Sequence, residues 1–136
     1  MAYAIKTTVT DPTAATFAFA TQKTMYGGKR VAEGDEVFVF ASENEGGSGL
    51  VARAVVMSAK AAPRRPDLAR QTPRVSVELR RSASAIRPLG RAQLKPFTHW
   101  QDGRPETELN FKLYRQATDK IIGLSDAAVA ALGRFF

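Results

Sequence analysis

The sequence predicts an α+β fold: a small mixed, mostly antiparallel β-barrel with short flanking helices. Three observations lead there. Short β-rich runs recur along the chain between Gly, Pro and Asp punctuation, two adjacent runs are joined by a glycine-rich connection, and the helical patterns are brief and marginal. Neither an internal repeat nor a linker interrupts the 136 residues, so residues 1–136 read as a single domain.

The elements follow in order. Residues 3–10 (YAIKTTVT) alternate weakly and are rich in β-formers, which predicts a first strand. Asp11-Pro12 has the form of a helix N-cap followed by proline at the first helical position. The next stretch, ATFAFATQ, is ambiguous, since Phe17 and Phe19 share a face only in an extended chain. Residues 37–41 (VFVFA) are the clearest strand, launched from Glu33-Gly34-Asp35 and stopped by ENEGGSG. Residues 50–58 (LVARAVVMS) return antiparallel to it, with the glycines supplying the positive φ angles of the connection. Residues 61–73 hold three prolines and three arginines, a loop composition. In residues 74–80, Val75, Val77 and Leu79 alternate with Arg74, Ser76, Glu78 and Arg80, which predicts a half-buried strand. Residues 88–97 allow a short helix between prolines, and residues 99–103 are turn-like. Residues 111–122 read as extended, with a bend at Thr118-Asp119. Ser125 then caps a final helix over residues 126–132 with Gly133 at its stop, and Asp126 suits the positive end of the helix dipole.

Composition narrows the chemistry. The chain has no Cys and one His, so disulfide scaffolds and structural zinc sites lack their ligands, and no metal or other cofactor is expected. A hydrophobic fraction of 44% supports a folded core. The N-terminus lacks a charged leader with an apolar core, and nothing approaches the run of about 18 apolar residues needed by a spanning helix, so no membrane partner is expected and the cytoplasm is the economical location.

The formal charge is +7, but it is unevenly placed. Between Arg53 and Lys95 stand eleven basic and two acidic residues, a local surplus of +9 that leaves the rest of the chain at −2. Nine of the eleven are arginines, whose planar forks suit phosphate oxygens. A surplus confined to one stretch is the footprint expected of nucleic-acid contact, RNA or DNA; a solubilising surface is its plain alternative.

Residues 30–42 (RVAEGDEVFVFAS) carry a resemblance. A Gly-Asp turn precedes an apolar strand that ends in an aromatic, a small residue and Ser, as in the EVE domain of the PUA-like superfamily and its ASCH and YTH relatives. The partner strand GLVARAVV, Pro66-Asp67, Val75-Ser76-Val77, Pro88-Leu89 and LKPF resemble successive parts of that family, and residues 111–132 are similar to its terminal strand-and-helix unit. The tryptophan and Val-Arg-Asn loop of typical EVE domains is replaced by Tyr26-Gly27-Gly28-Lys29-Arg30.

The resemblance implies a pocket at one end of the barrel in which a modified or flipped base stacks on aromatics. Tyr26, Phe40, Ser42 and Trp100 are placed there by motif position, while Gln22 and Thr24 offer hydrogen-bonding groups just before the glycine pair. For Phe38 and Phe40 a core role competes, and for Trp100 a rim-packing role. Arg53, Arg64, Arg65, Arg70 and Arg74 are the candidates for phosphate. No nucleophile elbow, phosphate-binding loop or metalloprotease helix is present, so no catalytic residue is assigned. The alternatives are a small nucleotide or nucleoside hydrolase, for which only Lys23, Ser42, Glu43 and His99 can be nominated, and a protein-interaction or homodimer module using Phe135-Phe136.

Overall fold

The computed structural model describes residues 1–115 and 119–136. Six strands, β1 (Ala2–Thr7), β2 (Thr16–Met25), β3 (Glu36–Ala41), β4 (Gly49–Ala61), β5 (Arg74–Ser84) and β6 (Lys120–Gly123), close into a barrel in the order β1-β3-β4-β5-β2-β6. Four of the six pairings are antiparallel; β1 with β3 and β2 with β6 are parallel. Three short helices flank it: α1 (Arg91–Leu94), α2 (Pro105–Leu109), which runs on into a π-helical turn over Asn110–Tyr114, and α3 (Asp126–Gly133). Among the described residues, no helix is long and apolar enough to cross a membrane.

The two-residue period of the strands divides the apolar residues between two cores. Tyr3, Ile5, Val37, Val39, Val75, Val77, Leu79 and Ile121 fill the barrel. Their neighbours Ala4, Phe38, Phe40 and Ile122 point the other way, against Leu94, Leu109, Leu113, Ala128 and Leu132 of the helical layer. A Val-Phe-Val-Phe run is therefore apolar on both faces because each face is covered.

The predicted hairpin is present as β3 and β4, with Gly46 and Gly49 at φ 84 and 87° in its connection. The strand predicted at residues 74–80 continues to Ser84. Ser125 caps α3 as expected, its hydroxyl accepting the Ala128 N–H at 3.2 Å. Two expectations are corrected and one ambiguity is resolved. Asp11 caps no helix; its carboxylate takes the N–H and hydroxyl of Thr13 in a turn, which satisfies locally the groups a helix would have used. The ambiguous stretch after it is β2, whose Phe17 and Phe19 both enter the barrel and stack at 5.7 Å. Residues 111–114 are helical rather than extended, because Leu109 and Leu113 lie one turn apart and bury together on the barrel wall. Of the bend predicted at Thr118-Asp119, Thr118 lies outside the described residues; Asp119 has a φ of 58°.

Candidate nucleic-acid interface

The structure sorts the predicted site residues into three places. The first is an aromatic cleft of about 300 Å³ beside the C-terminal end of β2, lined by Tyr26, Trp100, Arg104, Phe111 and Lys112, with Gly103, Thr107 and Glu108 completing it. Tyr26 is 47% exposed and Trp100 70% exposed, so both rings reach the surface at the cleft. Tyr26 is held at a φ of 51° directly before Gly27 at 85°. This sharp exit from β2 is locked from below, since a Cβ on Gly28 would collide with the carbonyl oxygen of Ile121. On the opposite wall Lys112 donates to Glu108 Oε2 at 3.1 Å and to the Gly123 carbonyl at 2.7 Å, and its Nζ stands 5.1 Å from the centre of the Tyr26 ring. Burial alone would raise the Glu108 carboxyl, but hydrogen bonds from the side chain and backbone of Ser125, together with Lys112, outweigh it and hold Glu108 below its ordinary value.

The second place is a concavity of about 570 Å³ formed by the loop between β4 and β5. Arg64, Arg65, Arg70 and Arg74 all line it, with the half-exposed Leu68 between them. Only light tethers hold the guanidinium groups: Arg65 to Asp67 at 3.0 Å, Arg64 to the Ala69 carbonyl at 3.3 Å, and Arg74 to the Thr21 carbonyl at 2.9 Å. Their charge thus remains available to solvent or to a ligand. The two clefts are joined through β2. Thr21 lines the arginine concavity, Thr24 anchors Pro73 through its N–H and hydroxyl at 3.0 and 2.7 Å, and Tyr26 lines the aromatic cleft. Five residues of strand span roughly 16 Å.

The third place is the far end of the barrel, where Ser42 sits. Ser42 is 1% exposed, and its backbone N–H donates to Thr7. Next to it the Glu43 carboxylate accepts the Tyr114 hydroxyl at 3.0 Å and the Arg91 N–H at 2.7 Å, while the Lys6 ammonium lies 4.4 Å from the centre of the Tyr114 ring. Burial and then the Glu43 charge push the Tyr114 phenol far up. Lys120 pairs in register with Lys6 on one side and with Lys23 on the other; it is 0% exposed, and its amine has no hydrogen-bond acceptor among the described residues. Burial, and secondarily the Lys6 charge, pushes its pKa down to about 8.

Several expectations change accordingly. Phe40 belongs to the core beneath the helices and faces no pocket. Ser42 is buried away from Tyr26 and Trp100, because its strand runs to the opposite end of the barrel. Gln22 and Thr24 are buried as well: the Gln22 amide donates to the Ala20 carbonyl at 2.9 Å, and the Thr24 hydroxyl is committed to Pro73. Arg53 is bound bidentately by Glu36 at 2.8 and 3.0 Å and lies over the Phe38 ring, so cross-strand pairing has already used its fork.

The residues nominated for hydrolysis are dispersed. Lys23 stands on β2 with β6 and β1 between it and the strand that precedes Ser42, while Glu43 is taken by Tyr114 and Arg91. Phe135 and Phe136 are docked, the first beneath Arg87 and the second 5.8 Å from Phe38. Among the described residues, no cluster of three or more His, Cys, Asp or Glu side chains is placed to hold a metal ion. Arg104, Glu108 and Lys112 were missed; the available signal was the Glu108–Lys112 spacing of four on a helix, hidden by reading the segment as extended.

No family model matches the chain, and no curated protein matches it in sequence. Solved structures do match it in shape. The DUF55 domain of human thymocyte nuclear protein 1 superposes with a TM-score of 0.65 over 98% of both chains at 15% identity. Human THYN1 protein in complex with 5-methylcytosine-containing DNA gives 0.63 over 98% of this chain and 96% of that one at 14% identity. A protein from Pseudomonas syringae gives 0.61 over the whole of both chains, also at 14% identity. Closure of the six strands, the flanking helices and these end-to-end superpositions together show that the chain has the fold of that DUF55 domain, a small α+β PUA-like barrel.

Proposed function

We propose that this domain binds nucleic acid without catalysis, taking an unstacked base, modified or plain, between Tyr26 and Trp100 while Arg64, Arg65, Arg70 and Arg74 engage phosphate. The observation that carries the reading is the gathering of four arginines of the basic stretch into one concavity, bridged by β2 to an open aromatic cleft. Bases splayed from a single strand or a duplex stack on aromatic faces, and guanidinium groups meet the backbone that follows. The span of roughly 16 Å between the clefts, from strand geometry, is two to three times the rise between successive phosphates of an extended strand. The DNA complex of a protein with the same fold supports a nucleic-acid partner.

The test is fluorescence anisotropy of single strands containing cytosine or 5-methylcytosine, titrated across salt. Four phosphate contacts on a single strand predict a log–log salt slope near −3, at roughly −0.7 per contact. No binding at low salt, or a flat salt dependence, refutes the phosphate half of the proposal.

A further inference from the structure

We propose that Lys112 reads a hydrogen-bond acceptor on the edge of the base, so that the aromatic cleft selects bases presenting a carbonyl there; this rests on the base-binding reading above. Several polar groups lining the cleft are already committed. Thr107 has committed its hydroxyl to Asp102 at 3.0 Å. Glu108 accepts from Lys112 and from the backbone and hydroxyl of Ser125, so both of its oxygens are occupied. Lys112, at 19% side-chain exposure, uses two of an ammonium's three donors on Glu108 and Gly123. The Arg104 guanidinium, at the start of α2, makes no hydrogen bond or ion pair among the described residues.

Of the charged groups lining the cleft, what remains uncommitted is therefore donors: one N–H of a clamped ammonium and an unengaged guanidinium at the rim. Such a site complements an acceptor and leaves a donor-bearing edge unpaired, which is how polar sites reject the wrong ligand. The two anchors on Lys112 fix its position, so its remaining donor has a defined direction, whereas exposed Arg104 serves any nearby oxygen. An alkylammonium, the other guest of aromatic-walled clefts, is disfavoured because Tyr26 already faces the Lys112 cation and the negative charge of Glu108 is used. Glu108 acts here as a positioning residue.

The experiment uses single-stranded pentamers with abasic sites around one central base, hypoxanthine or unsubstituted purine, which differ by the six-position carbonyl and the N1 proton that accompanies it. Binding is followed through Trp100, the chain's single tryptophan. The wild-type protein should prefer hypoxanthine roughly tenfold, the worth of one charge-assisted hydrogen bond. Lys112→Met should abolish the preference while keeping the salt dependence, and Lys112→Arg should restore part of it. Thermal melts of both variants establish that they are folded. Equal affinity of the wild type for the two pentamers, or a preference that survives Lys112→Met, overturns the assignment. Failure of any oligonucleotide to bind at low salt overturns the functional reading itself.

Discussion

Replacing Lys120 with methionine removes a buried ammonium that has no acceptor among the described residues and keeps a side chain of similar length and volume. The lysine's pKa is about 8 in the fold against an ordinary value of 10.5. Below about pH 8 both folded and unfolded chains hold the proton, and the fold bears the full cost of the buried charge. As pH rises above that point the folded state releases the proton while the unfolded state keeps it, so stability rises with pH. Between about pH 7 and about pH 9.5 this linkage amounts to about 2 kcal/mol, or roughly 8 °C in melting temperature for a domain of this size. Lys6, also lowered mainly by burial, contributes with the same sign. Tyr3 and Tyr114 are raised mainly by burial, so the unfolded chain ionises them first near pH 10 and stability turns down beyond it. The useful window therefore closes near pH 9.5. Urea unfolding across that window should show wild-type stability climbing and Lys120→Met nearly flat, with the variant the more stable at neutral pH. A parallel slope in the variant would show that the climb comes from relief of overall positive charge and that the buried amine contributes nothing to it.

Other outcomes follow from the interface. Replacing Arg64, Arg65, Arg70 and Arg74 together by Gln should flatten the salt slope by about 3 in a filter-binding or anisotropy titration. Arg53→Gln should leave that slope unchanged and instead lower the melting temperature, because it strips Glu36 of its bidentate partner. Tyr26→Ala should weaken oligonucleotide binding by about 1–3 kcal/mol, with calorimetry reporting the loss. Gly28→Ala should destabilise the fold by more than about 2 kcal/mol in chemical denaturation, since the added methyl meets the backbone of Ile121 and no flexible side chain can yield.

Much of the barrel was legible because its signals are local. The β3–β4 hairpin announced itself through alternating Val and Phe and through glycines at positive φ, and β5 through strict alternation. The Phe111–Tyr114 stretch misled because its β-forming composition is overruled by the barrel wall, on which Leu109 and Leu113 must lie one helical turn apart. The two parallel pairings could not be read, since nothing in a strand's own residues names a partner more than thirty positions away. Charge density singled out five arginines, of which four line one concavity, but the pairing of Arg53 required the β3–β4 register that places Glu36 within reach. Motif position assigned Tyr26 and Trp100 to one pocket, and the two do line one cleft. It failed for Phe40 and Ser42, whose strand runs to the other end of the barrel.

The barrel is closed by β6, four residues that pair at once with β1 and β2. During synthesis both of those strands have left the ribosome long before Lys120 emerges, and each then presents an open row of amides and carbonyls. Folding thus waits on contacts between the two ends of the chain, a topology that slows the search and exposes strand edges to other nascent chains. A stalled product ending before Lys120 would keep both seams unpaired and would be a ready substrate for chaperones or proteases, whatever the quality of its hairpin.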